Sequence, residues 1–473
     1  MDTDAWIVEA ASTSVTVAIG SARRGIRVGM AKILRRLHLL LAFWVLAAGS
    51  AMAEDLLQAY QQAFATTPAL VQAQDELQAQ MQDRPMARAA LLPHIGIGAN
   101  IGENTANITG FGSPIATNYL SNGYSVSLIQ PVFNGQVWTA FKQADSHIQA
   151  STAALAYAEE QLALQVAQCY FGILEAQAQE RVAENQKKLM ADIYKQTEAY
   201  LQVGTGDIIA MQEARARLDS AEASLIKANN AVTVAERKLQ RLTHSPVDIL
   251  DDVGHFEVRG PYPDDMQAWV NDALKNHPLI QQAEAQLRTA RQQIEYNRRA
   301  RWPVVNLQAV AQHSLGTLLP GLDMNQAGIS LNLNAPLYEG GLISASVQQA
   351  EAQSRASADH LADVRDQVTL DSQTTFLNLK DSVARLQAAK EALASAQVSL
   401  DGTRKGYEVG TRSIIDLLTT ITDYIRAEQD YNAALYNQVV ARVQLKAATG
   451  ILNQTDMESI NALLNKNSGS QSP

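Results

Sequence analysis

Few residues of this 473-residue chain have the types and spacing that chemistry requires. His244 and His255 lie near three aspartates, and imidazole and carboxylate groups are ligands for zinc. The aspartates are Asp248, Asp251 and Asp252. Their spacing fits neither a helix face nor a tight ligand loop, so a solvated loop is favoured over a metal site. The sequence contains no nucleophile elbow, phosphate loop or HExxH motif, which argues against an enzyme.

Two other carboxylates follow glycines that can end a helix. Gly204 and Gly410 each come directly after a valine, and glycine readily takes the left-handed conformation that ends helices. If copies of the chain place Asp416 near a shared axis, the carboxylates form a negative constriction that favours cations. Alternatively, Asp207 and Asp416 only complement the positive N-termini of the helices that follow. The sequence leaves both alternatives open.

The composition favours helices and excludes several functions. Aromatic residues make up only 6% of the chain, which favours long helices over a sandwich. Cys169 is the one cysteine, so a disulfide framework is excluded. The formal net charge of −10 argues against a nucleic-acid partner, because such proteins need a basic surface.

The N-terminus predicts export. Lys32, Arg35 and Arg36 precede an apolar run, and small residues at Ala51 and Ala53 suit signal peptidase, so residues 1–53 read as a signal peptide. Met30, where an ordinary signal sequence begins, is an alternative start. Removal of residues 1–53 takes away six basic and three acidic residues, which leaves a mature charge of −13.

The mature chain is an internal duplication. Leu92-Pro93 recurs as Trp302-Pro303 at an offset of 210 residues, and Val203-Gly204-Thr205 recurs as Val409-Gly410-Thr411 at an offset of 206. Pro131 recurs as Pro336 at an offset of 205, so the offset falls by five between the two prolines of each half, which predicts a shorter exposed loop in the second copy. The predicted organisation is a first repeat (54–242), an equatorial linker (243–265), a second repeat (266–452) and a partly disordered tail (453–473).

Each repeat contains two alternating segments and two helices. Apolar residues alternate with Ser, Asn, Gln or Gly in segments of about ten residues, which is typical of membrane-spanning strands around a wet lumen. The apolar positions include Ile97, Val126, Leu307 and Leu331. Residues 135–202 and 340–408 have no internal proline and keep a heptad rhythm, which predicts coiled-coil helices about 100 Å long.

Four strands per chain cannot close a spanning barrel, because the smallest known barrels have eight strands and open edges in lipid leave backbone groups unpaired. If the strands span a membrane, the chain must assemble. Two copies would give a lumen filled with side chains, whereas three would give twelve strands and a passage. The polar inward residues favour three.

The chain resembles the TolC family of outer-membrane efflux and type I secretion channels. The resemblance is carried by the stretch from Tyr407 to Leu418, by Tyr424, Ala427 and Tyr431 after it, and by the duplication with its strand-loop-strand inserts. It implies a mainly α fold with a small β part. Long coiled-coil helices form a periplasmic α-barrel, and four transmembrane strands per chain contribute to a trimeric, twelve-stranded β-barrel in the outer membrane.

The resemblance also implies partners and sites. The homotrimer would contact outer-membrane lipid and dock through a periplasmic adaptor onto an inner-membrane ABC or proton-driven transporter. Adaptor docking is expected at the two helix tips, and a gate is expected at the second tip through Tyr407, Arg412 and Asp416. The tip residues are Val203, Gly204, Thr205, Val409, Gly410 and Thr411.

Two departures from the family pattern affect the gate. Thr419 stands where the typical pattern has a second acidic residue, and Ala210 replaces the carboxylate that partners the arginine. Asp207 is a possible substitute for that carboxylate.

The sequence therefore predicts a gated exit duct without enzymatic activity or cofactor. The alternative is a soluble periplasmic coiled-coil scaffold in which the alternating segments form a docking sheet.

Overall fold

The computed structural model describes residues 55–108, 115–247, 250, 260–316, 323–462 and 464. The predicted signal peptide, and His255, Asp248, Asp251 and Asp252 of the candidate metal cluster, lie outside the described residues. All described residues except Leu250 belong to one unit, which is described below.

The described residues are mostly helical, with one small sheet. The helices are α1 (Leu56–Thr66), α2 (Pro68–Met81), α3 (Asp83–Ala89), α4 (Gly135–Gln202), α5 (Ile208–Thr243), α6 (Met266–Asn276), α7 (Pro278–Arg299), α8 (Leu342–Glu408), α9 (Ile414–Ala448) and α10 (Gln454–Asn461). The strands are β1 (His94–Ile108), β2 (Ile115–Phe133), β3 (Val304–Leu315) and β4 (Asp323–Asn334). The predicted fold class, mainly α with four strands per chain, is confirmed.

The two long helices begin and end close to the predicted positions. Helix α4 has 68 residues and α8 has 67, so each is about 100 Å long at 1.5 Å per residue. The Asn134 side chain accepts hydrogen bonds from the backbone of Gln136 and Val137 and caps the start of α4. Glycines in the left-handed conformation follow both helices, with φ of 76° at Gly204 and 75° at Gly410.

The helices pack side by side in two pairs. Helix α4 packs against α5 and α7, α8 packs against α7 and α9, and α4 also contacts α9. Towards the α4–α5 and α8–α9 turns, the four helices share one apolar cluster. Its buried members are Val182, Met190, Ile193, Ala214, Ala221, Leu400, Leu417, Leu418, Ile421 and Ile425.

The sheet is an antiparallel meander in the order β1-β2-β3-β4, so β1 and β4 are its edges. Strands β1 and β2 have 15 and 19 residues, whereas β3 and β4 have 12 each. The sequence predicts that the repeats differ in the length of an exposed loop. In the structure the difference lies in the strands instead, because β1 and β2 are longer than β3 and β4. At the end of β3, a Cβ on Gly316 would lie 1.8 Å from the Leu120 carbonyl oxygen, so only glycine fits this close approach to β2.

Short helices tie the two ends of the described chain together. The Asn461 side chain of α10 donates a hydrogen bond to Asp55, which caps α1, at 3.0 Å. The hydroxyl of Thr67, after α1, donates to the carbonyl of Leu242 in α5 at 3.1 Å. Helix α6 packs against α8, where Trp269 joins a cluster with Phe376 and Leu379.

Candidate functional site

One face of the sheet is apolar and open. Ile97 lies opposite Val126 in the β1–β2 register, and Leu307 lies opposite Leu331 in the β3–β4 register, so these residues share the face. Ile97 is 82% exposed within the single chain. The exposed large apolar side chains on this face include Ile95, Ile97, Ile101, Val126, Leu307, Ile329, Leu331 and Leu333. Such a continuous apolar surface requires lipid or another protein to cover it.

The opposite face of the sheet is polar. Ser125 and Ser127 lie across from Gly98 and Gly96. On the second hairpin, amides hydrogen-bond across the strands, from Asn332 Nδ2 to Gln308 Oε1 at 3.0 Å and from Gln312 Nε2 to Gln326 Oε1 at 3.0 Å. This two-faced alternation is typical of a strand with lipid on one side and water on the other.

Aromatic side chains lie towards both ends of the apolar face. At the helix end, Phe133 stacks on Trp302 with ring centroids 6.0 Å apart, and the Arg299 guanidinium lies 5.1 Å from the Trp302 ring centroid. At the other end, Tyr124 stacks on His313 at 4.8 Å. Trp302 and His313, at the two ends, are eleven residues apart, which corresponds to roughly 36 Å of strand. At a strand tilt near 40° this spans about 28 Å along the membrane normal, close to the height of the apolar band of barrel proteins.

The first helix tip is a tight turn between α4 and α5. The backbone N–H groups of Thr205 and Gly206 both donate to the carbonyl of Tyr200, at 3.0 and 2.9 Å. The Asp207 carboxylate then caps α5 by accepting a hydrogen bond from the Ile209 N–H at 3.0 Å. Val203 projects from this turn and is 71% exposed.

The second tip, between α8 and α9, repeats this geometry 206 residues later. The N–H groups of Thr411 and Arg412 donate to the carbonyl of Gly406, at 2.8 and 3.1 Å. Val409, like Val203, is exposed, and its exposed fraction is 73%. The two tips therefore share their backbone turn and an exposed valine, whereas the second tip alone carries Arg412 and Asp416.

Asp416 participates in a capping box at the start of α9. Its Oδ2 accepts a hydrogen bond from the Ser413 N–H at 3.0 Å, and its own N–H donates to Ser413 Oγ at 3.1 Å. Hydrogen bonds to the carboxylate from the Ser413 backbone and side chain, with a smaller effect of Arg412, lower the pKa of the Asp416 carboxyl. The helix-capping role that the sequence left open is thus present at both Asp207 and Asp416.

The remaining predicted gate residues are not linked to one another within one chain. Arg412 forms no ion pair with Asp207 among the described residues. Tyr407 is half-buried against the apolar cluster at the tips, where burial first, and nearby Tyr200 second, raise its pKa.

Sequence reasoning missed two residues of the first tip. Tyr200 supplies the carbonyl that closes the turn and lies near Tyr407 of the second tip. Gly206 is needed because a Cβ there would lie 2.6 Å from the backbone nitrogen of Leu201. The Gly-x-Gly spacing of Gly204 and Gly206 was the available signal.

No group of three or more potential metal ligands occurs among the residues that the structure describes. His244 ends α5 in the left-handed conformation, with φ of 55°. None of the described helices combines the length and the apolar character needed to cross a membrane.

Comparison with known proteins gives matches to both repeats. A sequence model of the family described as "Outer membrane efflux protein" matches residues 59–244 and 269–451. The chain is 28% identical to the outer membrane protein TolC of Escherichia coli, over 88% of this chain and 86% of TolC. It is 27% identical to the alkaline protease secretion protein AprF of Pseudomonas aeruginosa, over 89% of each chain.

Solved structures share the fold. The Campylobacter jejuni CmeC outer membrane channel superposes with a TM-score of 0.75 at 17% identity, over 87% of this chain and 90% of CmeC. The outer membrane protein VceC of Vibrio cholerae gives a TM-score of 0.74 at 17% identity, over 84% of this chain and 96% of VceC.

Proposed function

Because the chain belongs to the family of outer membrane efflux proteins and is an outer-membrane exit duct, we propose that three copies of it assemble to form that duct. The family match covers both repeats, and the relatives are outer-membrane proteins. The alternative of a soluble periplasmic scaffold is therefore wrong. The family and the fold are those of channel proteins.

The internal duplication supports a closed ring of three. Within one chain, β2 of the first repeat pairs with β3 of the second, and α4 packs against α7. If the second repeat packs in the same way against the first repeat of the next copy, β4 pairs with that copy's β1 and α8 packs against its α2. Both edge strands then find partners, and three copies close a twelve-stranded barrel without edges.

One aromatic contact makes this argument specific. Phe133 stacks on Trp302 within the chain. Their equivalents in the other repeat are Tyr338 and Leu92, which both lie exposed in the single chain. A second copy that places its Leu92 against Tyr338 covers both side chains and repeats the internal contact. This relation is the observation that carries the proposal.

The α-barrel would narrow at the second tip, where Asp416 of three copies would form a ring of three carboxylates. Asp416 already lies at a helix tip with a lowered pKa, so it would carry a charge throughout the physiological range. Tyr407 and Arg412 would hold neighbouring helices in the closed state, with Asp207 as the acceptor for Arg412. Opening would then require the four helices at the tips to separate.

The tips would also dock the adaptor. Channels of this type are trimeric and work with periplasmic adaptors and inner-membrane transporters. Here the exposed valines, Val203 and Val409, provide two apolar contact points per chain, or six around a trimer. A periplasmic adaptor would bind them, and an inner-membrane ABC or proton-driven transporter would supply the energy for efflux or type I secretion.

The segments of the chain would have the boundaries that the sequence predicts. The residues up to 53 would be removed as a signal peptide, which would comprise residues 30–53 if translation starts at Met30. Residues 54–242 and 266–452 would form the repeats, residues 243–265 would form a belt around the tunnel, and residues 453–473 would form the tail.

Conductance in planar lipid bilayers tests this proposed function. Purified mature protein is expected to insert and to give discrete, ion-conducting steps, because a closed ring of strands encloses water. Protein that inserts without conducting, or that never inserts, would contradict a duct.

A further inference from the structure

A cavity of about 460 Å³ lies where α7 begins and α9 ends, between the long helices α4 and α8. Its size is within the range of small-molecule sites. Tyr157 of α4, His277 before α7 and Asp371 of α8 contribute polar groups. Leu164, Leu279, Val364 and Ala447 contribute an apolar wall. The cavity therefore combines apolar surface with a few polar groups, as ligand sites do.

The charge in this cavity is negative. Asp363 and Asp371 lie two turns apart on α8, with Gln367 between them. The Gln367 side chain donates a hydrogen bond to Asp371 Oδ1 at 2.9 Å, which leaves Asp371 Oδ2 available. No lysine or arginine is among the described lining residues, so these two carboxylates have no cation of the chain inside the cavity.

A buried histidine adds one unsatisfied donor. His277 is only 6% exposed, and its Nδ1 accepts a hydrogen bond from the Leu279 N–H at 3.2 Å. Burial lowers the pKa of His277, although Asp371 opposes this shift, so the ring is neutral and carries its proton on Nε2. Nε2 has no hydrogen-bond partner in the described part of the chain. Nε2 is not one of the fully buried unpartnered atoms of the described residues, so it is open to the cavity that His277 lines and can donate to a molecule there.

The cavity opens on a different side of α8 from the side that α6 covers. Helix α6 packs on Phe376 and Leu379, whereas Asp371, Gln367 and Asp363 lie between a third and a half of a turn away. In the proposed trimer a second layer of helix inside the tube would block it, so α6 would lie on the outer surface. The acidic stripe would then be directed towards the duct.

We propose that this cavity is a subsite in the duct wall for amphipathic organic cations that also carry a hydrogen-bond acceptor. Asp363 and Asp371 would attract the cationic group, the apolar wall would take the hydrocarbon part, and His277 Nε2 would donate to the acceptor. The inference deepens the proposed export function and rests on it. Three such subsites around the duct would retain this class of cargo briefly without closing the passage.

The test is binding of rhodamine 6G, a fluorescent amphipathic cation with acceptor oxygens, to the purified mature protein by fluorescence polarisation. Asp363→Asn and Asp371→Asn are each expected to weaken saturable binding about five-fold, because each removes one charge near the cation. Thr374→Trp, which fills the cavity without changing charge, is expected to abolish it. Asp366→Asn is the matched control, since it removes the same charge from an exposed position of α8 outside the cavity.

The anionic dye 8-anilinonaphthalene-1-sulfonate serves as the reference probe and is expected to show no loss in any variant. Dye that partitions into detergent micelles contributes equally to all proteins, so differences between variants report the cavity. Equal rhodamine 6G binding by wild type and the three cavity variants, or no saturable binding by any of them, overturns the proposal. Light scattering and bilayer conductance on the same samples report separately whether the duct itself is formed.

Discussion

Asp416 has two roles that mutation can separate. Its carboxylate caps α9 through Ser413, and in a trimer it would also charge the entrance. We predict that Asp416→Asn lowers the ratio of cation to anion permeability in bilayers about two-fold or more, because a ring of charge is lost. Ser413→Ala breaks the same capping box but keeps the charge, so its permeability ratio is expected to match wild type. Equal ratios in all three proteins would show that Asp416 only caps the helix.

The same residue predicts a pH dependence. Because the bonds from Ser413 lower the pKa of Asp416, the carboxylate stays ionised at every pH above its ordinary value near 3.9. Cation preference should therefore be constant from pH 8 to pH 5 and decline only below about pH 4. A decline centred between pH 5 and 6 would mean that another group controls selectivity.

Glu160 is a second residue whose environment has a measurable effect. It is buried in α4, its Oε2 has no hydrogen-bond partner among the described residues, and burial raises its pKa to about 8. The folded state therefore binds a proton that the unfolded state releases above about pH 4.3, so stability falls as the pH rises from there to 8. We predict that Glu160→Gln stabilises the protein at pH 8, by up to roughly 4 kcal/mol, and has little effect at pH 4.

Thermal unfolding at the two pH values measures this effect. Glu184→Gln is the control, because Glu184 is an exposed carboxylate on the same helix. If Glu160→Gln destabilises the protein at pH 8 as much as at pH 4, burial does not neutralise Glu160.

At the scale of elements, the two faces of the sheet should respond differently to the same charge. Leu331 lies on the apolar face and its neighbour Ser330 on the polar face of β4. A lysine on the lipid face of a barrel costs about 2–4 kcal/mol near the midplane, whereas a lysine in a wet lumen costs little. We predict that Leu331→Lys reduces the amount of assembled protein in the outer membrane and that Ser330→Lys does not.

Membrane fractionation followed by gel electrophoresis without heating measures assembly of both variants. Equal assembly would contradict the assignment of the faces. The reverse order would mean that the lumen lies on the other side of the sheet.

Much of this element structure could be predicted from the sequence. The heptad rhythm and the lack of proline predicted both long helices, because local periodicity alone dictates an amphipathic helix. The full length of β1 and β2 could not be predicted, because the outer part of this hairpin depends on cross-strand bonds such as that from Asn104 Nδ2 to Ser121 Oγ at 2.7 Å. The cavity beside His277 could not be predicted either, because four elements far apart in the chain create it.

At the scale of the whole molecule, the duplication predicts how neighbouring chains meet. Ser127 lies opposite Val310 in the β2–β3 register. Their equivalents in the other repeat are Asn332 and Asn100, so Asn332 of one copy is expected opposite Asn100 of the next. Cysteines directly across two strands lie close enough to form a disulfide. We predict that Asn332→Cys combined with Asn100→Cys cross-links copies on oxidation, in a Cys169→Ser background.

The control is Asn332→Cys combined with Ile97→Cys. Ile97 lies on the opposite face of β1, three residues away, so this pair should stay reduced. Cross-linking of the control pair alone would mean that the strands meet in a different register.

The central claim is that three copies of the chain form one outer-membrane duct, and the most direct measurement is the mass of the native particle. The mature protein would be extracted from isolated outer membranes in mild detergent and weighed by light scattering with correction for bound detergent. A trimeric duct gives a particle with three times the mass of the mature chain. A monomer or a dimer would contradict it, because four or eight strands leave either open edges or a filled lumen.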